Sequence, residues 1–221
     1  MDNISMMMEK ADSIAPDTDT GVNERIARRV RELRTARGYS LDVLATRSGV
    51  SRSMISLIER AAASPTAVVL EKLATGLGIP LAGLFGGGRE DAPMEPLVRR
   101  AQQPIWRDPE SGYMRRNISP PGWPSPLHLV EVDFPPGARV AYEVGPRENV
   151  VHQQIWMLKG RIDLMLGGQL HELREGDCLA MQLDQPLIYS NPTRQSARYI
   201  VAICSEPAPS GGRSAQLSAG V

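Results

Sequence analysis

Residues 39–60, YSLDVLATRSGVSRSMISLIER, contain two short helical patterns separated by a glycine. Ser40 precedes the first pattern as an N-cap, because its hydroxyl can accept a hydrogen bond from an unpaired N–H of the first turn. Gly49 ends that helix, since the left-handed conformation of a helix end costs glycine little. Ser51 caps the second helix in the same way. The predicted buried face of the second helix comprises Met54, Ile55 and Ile58.

The opposite face of the second helix carries short or forked hydrogen-bonding side chains, those of Arg52, Ser53 and Ser56. A helix that is buried on one side and displays such groups on the other suits the DNA major groove, where base edges offer hydrogen-bond partners. The pattern therefore predicts a helix-turn-helix in which these three residues read base edges. The residues predicted to contact phosphates are Arg47, Arg60 and Thr66.

Helical patterns continue on both sides of this motif. Residues 23–38, NERIARRVRELRTARG, predict a preceding helix, Ser64-Pro65-Thr66 starts a following one, and 80–85 predicts a short fifth helix. Over residues 23–85 these motifs resemble the lambda-repressor-like (Cro/C1, or XRE-type) DNA-binding domain. The resemblance implies an all-α, five-helix domain that binds double-stranded DNA.

Two residues depart from the pattern of that family. Leu41 stands where many relatives carry a glutamine that clamps phosphate or base, so one expected DNA contact is missing. Ala61 stands where a glycine usually ends the second helix of the motif. Because only glycine takes up a left-handed conformation at little cost, this helix end is expected to be harder to form.

Positive charge is concentrated in the same segment. The whole chain has 25 basic and 25 acidic residues, so its net charge alone indicates no partner. Residues 21–85 have ten Lys or Arg and five acidic residues, a net charge of +5, whereas residues 1–20 carry −4 and residues 86–221 carry −1. Since phosphate contacts supply most of the non-specific affinity for DNA, this distribution favours a DNA-binding unit at 21–85.

The length of 221 residues predicts two domains. The Gly-rich and Pro-containing segment GGGREDAPMEP predicts a linker, and the two polar termini predict disordered tails. The expected organisation is a tail at 1–20, the DNA-binding domain at 21–85, a linker at 86–97, a second domain at 98–205 and a tail at 206–221.

The expected cellular compartment follows from features that the sequence lacks. It has no apolar run of about 20 residues that would span a membrane, and the acidic N-terminus is unlike a signal peptide. Cys178 and Cys204 are compatible with reduced thiols. We therefore expect a cytoplasmic protein with no membrane partner.

Beyond the predicted linker the apolar period changes from 3.6 to 2. LHLVEVDF (127–134) alternates, and further short strands follow at intervals marked by Gly and Pro turns, which predicts an antiparallel sandwich or barrel. IWMLKGRIDLMLGGQLHELREGD (155–177), with PPGARV (135–140) before it and DQPLIYSN (184–191) after it, resembles the cupins. The resemblance implies an all-β double-stranded β-helix barrel. The two domains together resemble XRE-type regulators with a C-terminal cupin sensor.

The cupin resemblance also implies where a metal would bind. Many cupins hold a divalent metal with two histidines and a glutamate in one motif and a third histidine in the next. The corresponding positions here are occupied by Arg147, Asn149, Gln153 and Leu187. Because three or four of the expected ligands are absent, we expect no metal and no other cofactor. A non-standard site built from His128 or His152 stays open, although strand alternation points His152 away from the face of Gln153.

A small barrel that its own side chains do not fill can enclose one ligand. His128, Gln153 and Tyr189 lie at positions whose parity points inward among apolar residues, so we predict that they contact a small organic effector. Ordinary core packing is the alternative for each of these residues.

The sequence predicts a sequence-specific transcriptional regulator that binds a small-molecule effector. One such domain reads only a half-site, so a homodimer on a pseudo-palindromic operator is expected. We find no nucleophile–base set, paired carboxylates or phosphate-binding loop, which predicts that the protein is not an enzyme. The alternatives are a cupin enzyme tethered to DNA, or a regulator whose second domain binds a protein partner.

Overall fold

The structure is a computed structural model, and it describes residues 18–85, 95–143 and 149–207. Most of the two predicted tails, most of the predicted linker, and Arg147 lie outside these residues. The first helix begins at Thr18, and the last strand ends at Pro207.

Four α-helices form the N-terminal domain, as the periodicity of its apolar residues dictates. They are α1 (Thr18–Ala36), α2 (Leu41–Ser48), α3 (Arg52–Glu59) and α4 (Ala67–Gly76). The predicted N-caps are present, since the hydroxyls of Ser40 and Ser51 each accept a hydrogen bond from the backbone N–H three residues further on. Gly49 ends α2 with a φ of 69°. None of the described helices combines the length and apolar character that a membrane crossing requires.

Two expectations for this domain are wrong. The fifth helix is a 3₁₀ helix, Leu81–Leu84, rather than an α-helix. Its hydrogen bonds run from Gly83 N to the Pro80 carbonyl and from Phe85 N to the Ala82 carbonyl, because so short a segment closes i→i+3 bonds more readily than an α-helical ladder. Met54 is 37% exposed, although it was assigned to the buried face of α3. Because successive residues of an α-helix are rotated by about 100°, the Met54 side chain points away from that of its buried neighbour Ile55.

Ten strands follow in two antiparallel sheets. They are β1 (Ile105–Arg107), β2 (Met114–Asn117), β3 (Leu127–Phe134), β4 (Arg139–Tyr142), β5 (Asn149–Lys159), β6 (Arg161–Leu166), β7 (Gln169–Arg174), β8 (Cys178–Gln182), β9 (Leu187–Ser190) and β10 (Ala197–Pro207). One sheet has the order β1-β2-β3-β10-β5-β8 and the other β4-β9-β6-β7. The alternation in the sequence predicted β3 to β10, but β1 and β2 were not predicted.

The inward faces of the two sheets enclose the core of the second domain. Val130, Val132 and Phe134 of β3 are at most 4% exposed, and so are Tyr199 and Ile203 of β10. This arrangement follows from the period of two, which sends alternate side chains of each strand into the space between the sheets.

The helical domain packs directly on the β-rich domain. The Ala67 N–H, at the start of α4, donates to Asp108 Oδ1 at 2.9 Å. The Phe85 ring packs edge-on against Trp106, with 5.7 Å between the ring centroids. Asn149 Nδ2 donates to the Gly78 carbonyl at 3.2 Å. These contacts join the helical domain to β1, to the adjoining Asp108 and to the start of β5.

Candidate functional site

A partly buried ion pair sets the orientation of α3. Arg34 of α1 donates from Nε and Nη2 to the two carboxylate oxygens of Glu59, at 2.6 and 2.9 Å, and from Nη1 to the Tyr39 carbonyl at 2.8 Å. Their side chains are only 13% and 6% exposed. The hydrogen bond to Glu59 raises the pKa of the Arg34 guanidinium. Because a two-point arginine–carboxylate pair fixes direction as well as distance, it holds α3 on α1 in one orientation.

The three predicted base-reading residues lie on the first two turns of α3. Arg52 is the first residue of the helix, with an exposed side chain whose Nε is 3.4 Å from Asp42 Oδ1. Ser53 is exposed, with its hydroxyl 3.2 Å from that of Ser51, and Ser56 is half-buried. The N-terminal half of α3 therefore presents a short, polar, open surface.

The predicted phosphate-contacting residues lie around that surface, and each makes a contact within the protein. Arg47 donates from Nε to the Gly76 carbonyl at 3.1 Å, and its guanidinium lies 5.0 Å from the centroid of the Tyr39 ring. Arg60 is exposed and donates from Nε to the Ser56 carbonyl. The Thr66 hydroxyl accepts from Val69 N as the N-cap of α4.

A cavity of about 70 Å³ lies between the two sheets and the helical domain. Since one water needs about 10–15 Å³ of such space, the cavity has room for several waters or a small organic molecule. Its wall includes Glu71, Pro80 and Leu81 of the helical domain. From the β-rich domain it includes Tyr113, Arg115, Val132, Phe134, Val140, Tyr142, Glu143, Val151, Gln153, Leu183, Gln185, Leu187, Tyr189, Tyr199, Val201 and Ile203.

Two of the three predicted effector residues meet in this cavity. Gln153 Nε2 donates to the Tyr189 hydroxyl at 2.6 Å across the gap between the sheets. The Tyr189 ring stacks on Tyr199, with 6.3 Å between centroids and 4° between planes. Burial raises the pKa of the Tyr189, Tyr142 and Tyr199 hydroxyls, so these groups are neutral hydrogen-bond partners at physiological pH.

His128 is not among the residues that line the cavity. Its side chain is half-buried on β3, and burial lowers its pKa, with a smaller contribution from the positive charge of Arg115. The lowered pKa favours the neutral imidazole, which is not part of the cavity wall.

The cavity wall contains functional candidates that the sequence analysis missed. Arg115 lies in β2, whose sequence shows no alternation of apolar and polar residues. In MRRN two arginines are adjacent, so composition gives no sign that one faces inward and the other outward. The contribution of Glu71 depends on how the two domains pack, for which the sequence has no local signal.

The described positions at which the cupin resemblance implies metal ligands make other contacts. Asn149 bonds to the helical domain, Gln153 bonds to Tyr189, and Leu187 is an apolar wall residue. His152 is exposed on the opposite face of β5 from Gln153, as the alternation predicted. The described residues contain no group of three or more His, Cys, Asp or Glu side chains that could hold a metal ion.

Comparison with known proteins agrees with the geometry of the helical domain. Residues 30–84 match the helix-turn-helix family HTH_3. The helical domain is an HTH_3 helix-turn-helix domain. The HTH-type transcriptional regulator SutR of Escherichia coli K12 is 25% identical over 170 residues, which are 77% of this chain and 89% of SutR.

Solved structures extend the likeness beyond the HTH_3 domain. An HTH_3 family transcriptional regulator from Vibrio cholerae superposes with a TM-score of 0.68 at 26% identity, over 84% of this chain and 98% of that chain. The cupin domain of an XRE family transcriptional regulator from Enterobacter cloacae gives a TM-score of 0.38 at 16% identity, over 42% of this chain and 95% of that chain. The protein thus joins an HTH_3 domain to a β-rich domain, in the manner of a helix-turn-helix transcriptional regulator.

Proposed function

We propose that this protein is a sequence-specific DNA-binding regulator whose cupin-like domain senses a small organic effector. The observation that carries the proposal is the location of the cavity, since its wall combines Glu71, Pro80 and Leu81 of the HTH_3 domain with side chains of both sheets. A ligand in such a position contacts both domains at once. It can therefore favour one arrangement of the domains over another, which is what an effector of DNA binding must do.

The DNA contacts in this proposal come from α3 and its surroundings. Arg52, Ser53 and Ser56 read base edges in the major groove. Phosphate contacts come from three residues around that surface, Arg47, Arg60 and Thr66. The exposure of Arg52 and Ser53 and the partly buried ion pair behind α3 support this assignment, because a reading helix must be open on one side and firmly held on the other.

The proposed assembly is a homodimer on a pseudo-palindromic operator, because a single helix-turn-helix covers only a half-site. The outer face of the six-stranded sheet is the proposed contact between subunits. Trp156 of β5 is 52% exposed on that face, beside the partly buried Leu158 of the same strand and Ile200 of β10. An exposed tryptophan among apolar neighbours supports a protein interface there.

We infer that the two facing sheets form a cupin barrel. In this interpretation the cupin-like domain senses a ligand rather than catalyses a reaction. Across the cavity Gln153 meets the neutral Tyr189 hydroxyl, a pair that binds and orients a ligand without acting as a strong base. No bound metal or other cofactor is part of this proposal. The proposed domain boundaries are 21–85 and 98–205, with 86–97 as the linker.

Selection of bound duplexes from a random library by the full-length protein tests the proposed function. We expect enrichment of a pseudo-palindrome whose half-sites lie about one helical turn apart. Footprinting should then show protection centred on the two half-sites. Binding of all duplexes alike, without enrichment at any salt concentration, would contradict a sequence-specific regulator.

A further inference from the structure

Arg115 is a charged side chain buried in the cavity wall. In the pairing of β2 with β3 it lies opposite Val132, which puts it on the inward face of the sheet, and it is only 5% exposed. Its Nε and Nη2 are buried and have no hydrogen-bond partner among the described residues. Because an unpaired buried cation is costly, such a group beside a cavity indicates a ligand that supplies the missing acceptors.

The two unpartnered nitrogens define the shape of that ligand group. Nε and Nη2 lie along one edge of the planar guanidinium and present two parallel N–H donors. A carboxylate matches this edge with its two oxygens and makes a bidentate, charge-assisted pair. The Phe85 ring of the HTH_3 domain covers the flat face of Arg115, with Cζ 5.2 Å from the ring centroid. The ring thus covers one face of the guanidinium, while the two donors on its edge have no acceptor.

The other residues of the cavity wall limit the chemical character of the ligand beyond its carboxylate. Side chains such as Val132, Leu187 and Ile203 give it a largely apolar lining, and buried tyrosine hydroxyls supply a few neutral polar groups. Glu71 brings a carboxylate to the helical side of the wall. A second charged group on the ligand would lose its hydration against the largely apolar lining, so a single anionic end is favoured.

We propose that the cavity binds a small monocarboxylic acid whose carboxylate pairs with Arg115 and whose apolar body packs between the sheets. This inference names the effector class of the proposed function and rests on it. Since Arg115 also contacts Phe85, the group that anchors the ligand touches the HTH_3 domain directly. Binding and domain packing are therefore coupled through one side chain.

The test compares small monocarboxylates, from acetate to hexanoate and benzoate, with their neutral amides on the full-length protein. Thermal shift and calorimetry report binding, since a ligand specific for the folded state raises the Tm. We expect the best carboxylate to bind about tenfold or more tightly than its own amide. Succinate is expected to bind more weakly than butyrate because of its second charge. Equal binding of acid and amide, preference for the amide, or no binding by any member of the panel would overturn the proposal.

Two neighbouring variants separate the role of Arg115 from a general loss of charge. Arg115→Gln should abolish the preference for the acid over the amide. Arg116→Gln should keep it, because Arg116 faces the other side of the sheet, where its Nε is 3.2 Å from Glu131 Oε2. Should Arg115→Gln fail to fold, the wild-type acid-to-amide ratio and the Arg115→Lys variant still decide the matter. The lysine variant should bind acids more weakly than wild type because it lacks the two-donor edge. A wild-type preference that survives in Arg115→Gln would contradict the assignment.

DNA binding measured in the same preparations distinguishes the two proposals. Selective operator binding by a protein that binds no carboxylate would remove the ligand class and leave the regulator intact. Carboxylate binding by a protein without DNA selectivity would remove the proposed function and leave the ligand class intact.

Discussion

At the scale of single residues, Ala61 carries a local strain. Its φ is +53°, and it is the one non-glycine residue with positive φ in the described part of the chain. A side chain in that conformation costs about 1–2 kcal/mol, and glycine avoids the cost while losing more freedom on folding. We predict that Ala61→Gly raises the free energy of unfolding by about 0.5–1 kcal/mol. Chemical denaturation checks this against Ala62→Gly, whose backbone needs no positive φ and which should be neutral or destabilising. Loss of stability in Ala61→Gly would show that the strain has another origin.

Gln153 and Leu187 stand where the cupin resemblance implies metal ligands, and both line the cavity. Neither side chain is a strong ligand for a divalent cation. We predict that treatment with a chelator leaves the Tm and the affinity for operator DNA unchanged. Elemental analysis of the purified protein is the companion measurement. One tightly bound transition metal per chain, lost together with DNA binding on chelation, would contradict this prediction.

At the scale of secondary-structure elements, the contact between α2 and α4 depends on a missing side chain. A Cβ on Gly76 would lie 2.8 Å from Ser48 Cβ and 3.0 Å from its Cα. We predict that Gly76→Ala destabilises the protein by about 1–3 kcal/mol, because backbone atoms must move apart. Gly21→Ala is the matched control in α1, where a Cβ meets nothing within 4 Å and better helix propensity should stabilise slightly. Thermal unfolding of both variants decides the point, and an unchanged Tm in Gly76→Ala would refute the close packing.

The elements that sequence predicts well are those specified by near neighbours. The caps at Ser40 and Ser51, and the helix end at Gly49, depend on side chains or glycines within three residues, so the pattern suffices. The same holds for the longer strands, in which alternation repeats several times. It fails for β1 and β2, whose sequences IWR and MRRN show no alternation of apolar and polar residues.

At the scale of the whole molecule, the sequence predicted two domains but not their packing. The contact of Phe85 with Trp106 joins residues 21 positions apart, and that of Ala67 with Asp108 joins residues 41 apart. No local pattern specifies such pairs. For the same reason, the sequence did not predict that Glu71 lines the cavity. It also did not predict that the Arg115 side chain points inward. Gln153 could be placed on an inward face because β5 alternates over eleven residues, and Tyr189 because it shares its parity with Leu187 in β9.

The subunit contact is also a property of the whole molecule. We predict that the full-length protein is a dimer and that Trp156→Glu weakens dimerisation by tenfold or more, roughly the effect of losing a buried aromatic side chain at an interface. Gln169→Glu places the same charge on an exposed position of the other sheet and should leave the dimer unchanged. Sedimentation equilibrium measures all three proteins. A wild-type monomer at micromolar concentration, or a Trp156→Glu protein as dimeric as the wild type, would rule out this interface.

The most direct test of the account is a comparison of specific and non-specific DNA binding by two arginine variants. Fluorescence anisotropy, at one fixed salt concentration, gives affinities for the selected operator and for a duplex of scrambled sequence. The account predicts that Arg52→Ala loses about 1–3 kcal/mol on the operator and little on the scrambled duplex, because it removes a base contact. Arg60→Ala should weaken both duplexes alike, because it removes a phosphate contact. Equal losses on the two duplexes for Arg52→Ala would contradict the assignment of α3 as the reading helix.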